Sequence, residues 1–75
     1  MDQAMLEDHL RQAEEHVELG RQHIAQQMAL INRLEQGGHN TTQARELLAT
    51  FEALQESHEA DRDRLREELA NTAGR

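Results

Sequence analysis

The stretch LEQGGHNTT, residues 34–42, decides the fold because it carries a helix stop followed at once by a helix start. The two glycines at 37–38 can take the left-handed backbone that ends a helix. Residues 40–42 then supply three side chains with oxygens in a row, and such side chains cap the N-terminus of a following helix. This stretch predicts two helices joined by a turn at 37–40.

On the N-terminal side of this turn, apolar and small residues recur in two lines with a seven-residue repeat. Such a repeat is typical of a helix that packs one face against another helix. It predicts a helix over about 3–36. The first line holds Leu10, Val17, Ile24 and Ile31, and the second holds Leu6, Ala13, Gly20, Gln27 and Leu34.

On the C-terminal side, the same repeat predicts a second helix over about 41–71. Because the turn is so short, the two helices are expected to run antiparallel. The predicted fold is an all-α, antiparallel two-helix hairpin, and 1–75 is expected to form a single domain. One line of the second helix holds Ala44, Phe51, His58 and Leu65, the other holds Leu47 and Leu54, and Leu48 and Leu69 widen the stripe.

The pairing of the two helices follows from the position of the turn. Residues whose numbers sum to about 78 should face each other in such a hairpin. This places the bulky His58 opposite Gly20, which has no side chain. Large residues then lie against small ones, as interdigitating packing requires.

A hairpin of two helices is a single layer, so each helix covers only one side of the other. Ordering the chain costs about 1.5 kcal/mol per residue, whereas about a dozen large seam residues contribute ~1.5–3 kcal/mol each when fully buried. We therefore expect a two-fold homodimer that forms a four-helix bundle and also covers Met28, Leu30, Leu48 and Leu69. The core or interface is expected to contain Leu10, Val17, Gly20, Ile24, Ile31, Leu47, Phe51, Leu54, His58 and Leu65.

The charge balance argues against several classes of partner. Fifteen acidic residues against eight arginines give a net charge of -7, which repels nucleic acid and anionic membranes. No apolar run approaches the ~20 residues of a membrane span. A signal peptide begins with a basic segment followed by an apolar one, whereas the first eight residues here are acidic. We expect a cytoplasmic protein whose partner is itself or another protein.

Five histidines raise the question of a metal site. His9, His16 and His23 are seven residues apart, which separates neighbours by ~10.5 Å along a helix. Two ligands of one zinc ion each lie ~2.0 Å from it, so no two of these three can share an ion within one helix. No histidine pair has the three- or four-residue spacing of helical ligands, and we expect neither a metal nor a cofactor.

The same histidine line suggests a pH switch. If two first helices cross antiparallel with Gly20 near the two-fold axis, His16 of one protomer approaches the partner's His23. Protonation would place like charges together and weaken the dimer at mildly acidic pH.

No catalytic arrangement emerges from the sequence, and we expect no enzyme. The tripeptide Ser57-His58-Glu59 resembles the core of the phosphoacceptor box of sensor histidine kinases, whose dimerisation domain is a helical hairpin that forms a four-helix bundle. That family places the box in its first helix and follows it with a proline, whereas here residues 57–59 lie in the second helix and no proline follows. A small signalling domain that uses a histidine, either as pH sensor or as phosphoacceptor, is therefore kept as the alternative function.

A broader likeness spans nearly the whole chain. The pattern resembles small helical-hairpin proteins of rhizobia and related alphaproteobacteria, which implies a compact helical domain and no particular chemistry. The leading hypothesis is a non-enzymatic, homodimeric helical hairpin that acts as a protein–protein interaction or adaptor module. The residues that carry the likeness are Ala13, His16, Val17, Gly20, Ile24, Ile31, Leu34, Gly38, Thr41, Ala44, Leu47, Leu48, Phe51, His58 and 62–65.

Overall fold

The computed structural model describes residues 2–73, which form two α-helices: α1 (Gln3–Gln36) and α2 (Thr42–Ala73). Within these residues there is no β-strand, and the two helices pack against each other along their length. The first helix has its predicted bounds, and the second begins one residue later and ends two residues later than predicted. The predicted domain 1–75 also includes residues 1, 74 and 75, which lie outside the described residues.

Each helix end between the two helices is capped by the residues that mark the turn in the sequence. The amide N–H of His39 donates to the carbonyl of Leu34 at 2.8 Å, and that of Gly38 donates to the carbonyl of Glu35 at 3.0 Å. This pair of bonds is the Schellman motif, and it requires a left-handed residue, which Gly38 supplies with φ +73°. The side chain of Asn40 then accepts from the amide N–H of Thr42 at 2.8 Å.

The hairpin is a rod of 59 × 14 × 14 Å, with its main core far from the turn. Leu6 and Ala13 of α1 pack with Leu65 of α2, and Leu10 and Leu69 close around them. Ala13 and Leu65, whose numbers sum to 78, therefore pack in one cluster, as the pairing rule predicts. Because the cluster joins the start of α1 to the end of α2, it holds together the end of the hairpin that the turn does not constrain.

The inner line of α2 differs from the predicted one. Leu47 and Leu54 were expected in the seam, but they are 45% and 52% exposed, on the outside of the hairpin. The inward positions lie one residue further along, where Leu48 is half-buried and Gln55 is buried. The hydrophobic pattern pointed to the leucines, whereas the observed packing places the long amide of Gln55 over a gap left by a glycine of α1.

Candidate functional site

An apolar groove lies at mid-length of the rod, and we call it the histidine groove. It has a volume of about 200 Å³ and is open to solvent along one long side of the hairpin. Four residues of α1 and four of α2 line it: His16, Leu19, Gly20, His23, Phe51, Leu54, Gln55 and His58.

Gln55 forms the floor of the groove. Its Nε2 donates to the backbone carbonyl of Val17 at 2.8 Å, which ties the two helices together. Its Oε1 occupies the space that a Cβ at residue 20 would fill, so Gly20 is the residue that lets the amide enter. Among the described residues this buried Oε1 has no hydrogen-bond partner.

Gln55, and not His58, therefore fills the gap at Gly20, which corrects the predicted Gly20–His58 pairing. The ring of His58 lies instead against the ring of His16, with 5.4 Å between the ring centres and a tilt of 47°. His58 is half-buried and His16 is exposed. The two helices thus bring together two imidazoles that are 42 residues apart in the sequence.

A second ring pair repeats this arrangement one heptad further along α1. His23 faces Phe51, with 5.8 Å between ring centres and a tilt of 36°. His16 and His23, the residues of the predicted pH switch, therefore line the same groove but have different ring partners across it. His9 lines a neighbouring groove with His16, and that groove also contains the charged residues Asp61, Arg64 and Glu68.

The rim of the histidine groove is apolar and exposed. Leu19 is 50% exposed and Leu54 is 52% exposed, and between them Phe51 is half-buried. Among residues 2–73, no carboxylate or arginine lines this groove. A rim of this composition is the kind of surface that buries itself against another protein.

The opposite long side of the rod, which we call the charged side, is bridged by ion pairs between the helices. Arg45 pairs with Glu35 near the turn, and Arg66 pairs with Glu14 at 3.3 Å toward the other end. Met28, which the sequence predicts to be covered in the dimer, is exposed on this side and not at the histidine groove, and it lines a shallow groove together with Glu35 and Arg45.

The remaining predicted core or interface residues lie between the two sides. Val17, Ile31 and Leu65 are buried, and Leu10 and Ile24 are half-buried. Sequence reasoning missed Leu19 and Gln55, the first because it lies outside the two apolar lines of α1. Gln55 could have been found by its spacing, because it is four residues after Phe51 and three before His58.

In residues 2–73 no group of three or more histidine, aspartate or glutamate side chains is arranged to hold a metal ion. Neither α1 nor α2 contains a stretch long and apolar enough to cross a membrane.

Comparison of the chain with models of protein families, with curated proteins and with solved structures found no match.

Proposed function

We propose that this chain is a non-enzymatic helical hairpin that forms a homodimer and acts as a protein–protein interaction or adaptor module in the cytoplasm. The observation that carries the proposal is the exposed apolar rim of the histidine groove, where Leu19 and Leu54 each leave about half of their surface in water. The occupant that we assign to this rim is a second copy of the chain, which would complete a four-helix bundle.

The dimensions of the rod support a second copy as the occupant. One long side measures 59 Å by 14 Å, a projected area of about 800 Å². A stable interface of standard size buries ~800 Å² of accessible surface on each partner, and a side of this length and width has room for it.

Charge also favours this side. Two copies that each carry a net charge of -7 repel one another over most of their surfaces. Within residues 2–73 the histidine groove has no carboxylate in its lining, so association there does not bring carboxylates of the groove together. A two-fold axis near Gly20 would set Leu19 close to the partner's Leu19.

Light scattering across a concentration series, with circular dichroism on the same samples, tests the proposal. We expect a helical species with twice the 8.6 kDa mass of the chain, 17.2 kDa, that loses helix content as it dissociates on dilution. A helical monomer of 8.6 kDa at every concentration would contradict the dimer.

A phosphoacceptor histidine finds less support. Such a histidine must present its ring to a kinase, whereas the ring of His58 is half-buried against His16. We therefore keep the interaction module as the proposed function.

A further inference from the structure

We propose that the histidine groove makes the dimer sensitive to pH, so that protonation of His16, His23 and His58 separates the two copies. The inference rests on the proposed function, because it requires a second copy to cover this groove. It concerns the regulation of that interface: the dimer forms at neutral pH and dissociates under mildly acidic conditions.

Three of the five histidines of the chain line this one groove. The sequence suggested a switch made of His16 and the partner's His23 alone. The structure adds His58, whose ring centre is 5.4 Å from that of His16. A dimer closed over the groove therefore encloses six imidazoles, three from each copy.

The groove offers no negative charge to a protonated ring. Among residues 2–73 its lining contains no carboxylate, and no ion pair of this part of the chain includes a histidine. In a single chain His16 and His23 are exposed, so water solvates their charged forms. A second copy would remove that water, and burial of a charge without an opposite charge is costly. Association at the groove therefore favours neutral imidazoles.

The carboxylates nearest to the groove on α2 already have a cationic partner. Asp61 and Glu68 line the neighbouring groove together with His16. Both pair with Arg64, at 3.6 Å and 3.4 Å. These two carboxylates therefore do not replace the missing counter-charge for the pair of His16 and His58.

The next charged groups along each helix are also paired. On α2, Arg62 lies one turn after His58 and pairs with Asp63 at 3.0 Å. On α1, Glu18 and Arg21 flank the glycine of the groove and pair with each other at 3.6 Å.

The other neighbours of the three histidines are neutral or become cationic. His23 lines a further groove with Gln26 and Gln27, which carry no charge. His9 shares the neighbouring groove with His16, so its protonation would add positive charge there. Every group that faces the three rings is therefore paired, neutral or repulsive toward a proton.

The direction of the effect separates this switch from the general charge of the chain. Acidification makes a chain of net charge -7 less negative, which by itself weakens the repulsion between two copies. The buried imidazoles act in the opposite direction. Because the dimer binds fewer protons than two separate chains, its dissociation constant rises as the pH falls through the range in which histidine becomes charged.

The test is sedimentation equilibrium of the full chain at about pH 7.5 and about pH 5.5, at one ionic strength. We expect the dissociation constant of the dimer to rise by at least about tenfold at the lower pH. Exclusion of one proton per dimer gives about this factor, because an ordinary histidine is mostly neutral at the first pH and mostly charged at the second. A higher protein concentration at the lower pH should restore the dimer.

Two sets of glutamine substitutions locate the effect, because glutamine does not titrate. A chain with His16→Gln, His23→Gln and His58→Gln should lose the rise in the dissociation constant. The matched control carries His9→Gln and His39→Gln, which remove the two histidines outside the lining of the groove. The control should keep the full rise, and equal pH dependence of the two chains would overturn the proposal.

Proton uptake on dissociation needs no variant. Calorimetric dilution of the dimer at about pH 6, in two buffers of different ionisation enthalpy, should show uptake of at least one proton per dimer. This measurement decides the question if the triple variant does not dimerise. A chain that is monomeric at both pH values would contradict the dimer itself. A dimer that takes up no proton, or whose dissociation constant stays constant or falls on acidification, would overturn the switch alone.

Discussion

The two long sides of the hairpin are joined in different ways. On the charged side, Arg45 pairs with Glu35 and Arg66 pairs with Glu14, one pair near each end of the rod. On the histidine side, rings of the two helices contact each other across the seam, and Leu19 and Leu54 at the rim are about half exposed. The ion pairs of the charged side form within one chain. The histidine side, in contrast, leaves exposed apolar surface that a partner would cover.

The largest expected effect comes from placing a charge on either side in turn. Leu54→Glu should weaken the dimer by at least about 100-fold, near 2.7 kcal/mol, because it buries an unpaired carboxylate in the proposed interface. Met28→Glu is the matched control, since Met28 is 53% exposed and Leu54 is 52% exposed. It should change the dissociation constant less than about threefold. Sedimentation equilibrium measures both, and equal weakening by the two variants would contradict the distinction between the sides.

A smaller effect should appear at the floor of the groove. A methyl group at position 20 would displace the Gln55 amide from Val17. In the original chain, the loss of this hydrogen bond offsets the ~1 kcal/mol of stability that alanine provides over glycine within a helix. Gly20→Ala should therefore be close to neutral, but it should stabilise by about 1 kcal/mol when Gln55→Ala is also present. Urea unfolding of the four chains at one concentration gives the coupling, and equal stabilisation in both backgrounds would show that the amide and the glycine are independent.

Two glutamines are buried in the described part of the seam, and they differ in their hydrogen bonds. Gln55 has an unpaired Oε1, whereas Gln27, which donates to the carbonyl of Ala44 at 2.8 Å, has no unpaired buried atom within the described chain. Gln55→Leu should raise the free energy of unfolding by about 1 kcal/mol, because it removes an unsatisfied polar atom. Gln27→Leu should have a smaller effect. Thermal unfolding of both variants compares them, and a larger gain from Gln27→Leu would be the contrary result.

The smallest effect is expected on the charged side. Arg45→Gln breaks the pair with Glu35, whose side chains are about half exposed. Exposed ion pairs contribute only about 0.2–1 kcal/mol. The loss of stability should stay below about 1 kcal/mol and vanish in high salt. A salt-independent loss of stability above that value, measured by urea unfolding, would mean that the pair contributes much more to the free energy of unfolding than its exposure indicates.

The helix ends at the turn could be predicted from the sequence, because the residues that begin and end a helix are chosen by local backbone and capping preferences. Gly38 takes the left-handed conformation, and Asn40 caps α2. The inward line of α1 from Val17 to Ile31 could also be predicted from the sequence, because most of its residues are apolar and follow the seven-residue repeat.

The inner line of α2 could not be predicted from hydrophobicity, because a polar residue occupies it at mid-length. Gln55 can be buried because its amide makes one hydrogen bond and because Gly20 leaves space for it. A hydrophobic pattern contains neither the hydrogen bond nor the space. The pair of His16 and His58 depends on the height at which the two helices meet. Such contacts between distant residues are set by packing rather than by local spacing.

The most direct test of the central claim asks which side of the hairpin meets a second copy. The chain has no cysteine, so a single introduced cysteine reports on one position alone. Under mild oxidation, Leu19→Cys should form a disulfide-linked dimer rapidly, because the proposed two-fold axis passes near Gly20. Met28→Cys, equally exposed on the charged side, should link slowly. Faster linkage through Met28→Cys, or no difference between the two variants, would contradict docking at the histidine groove.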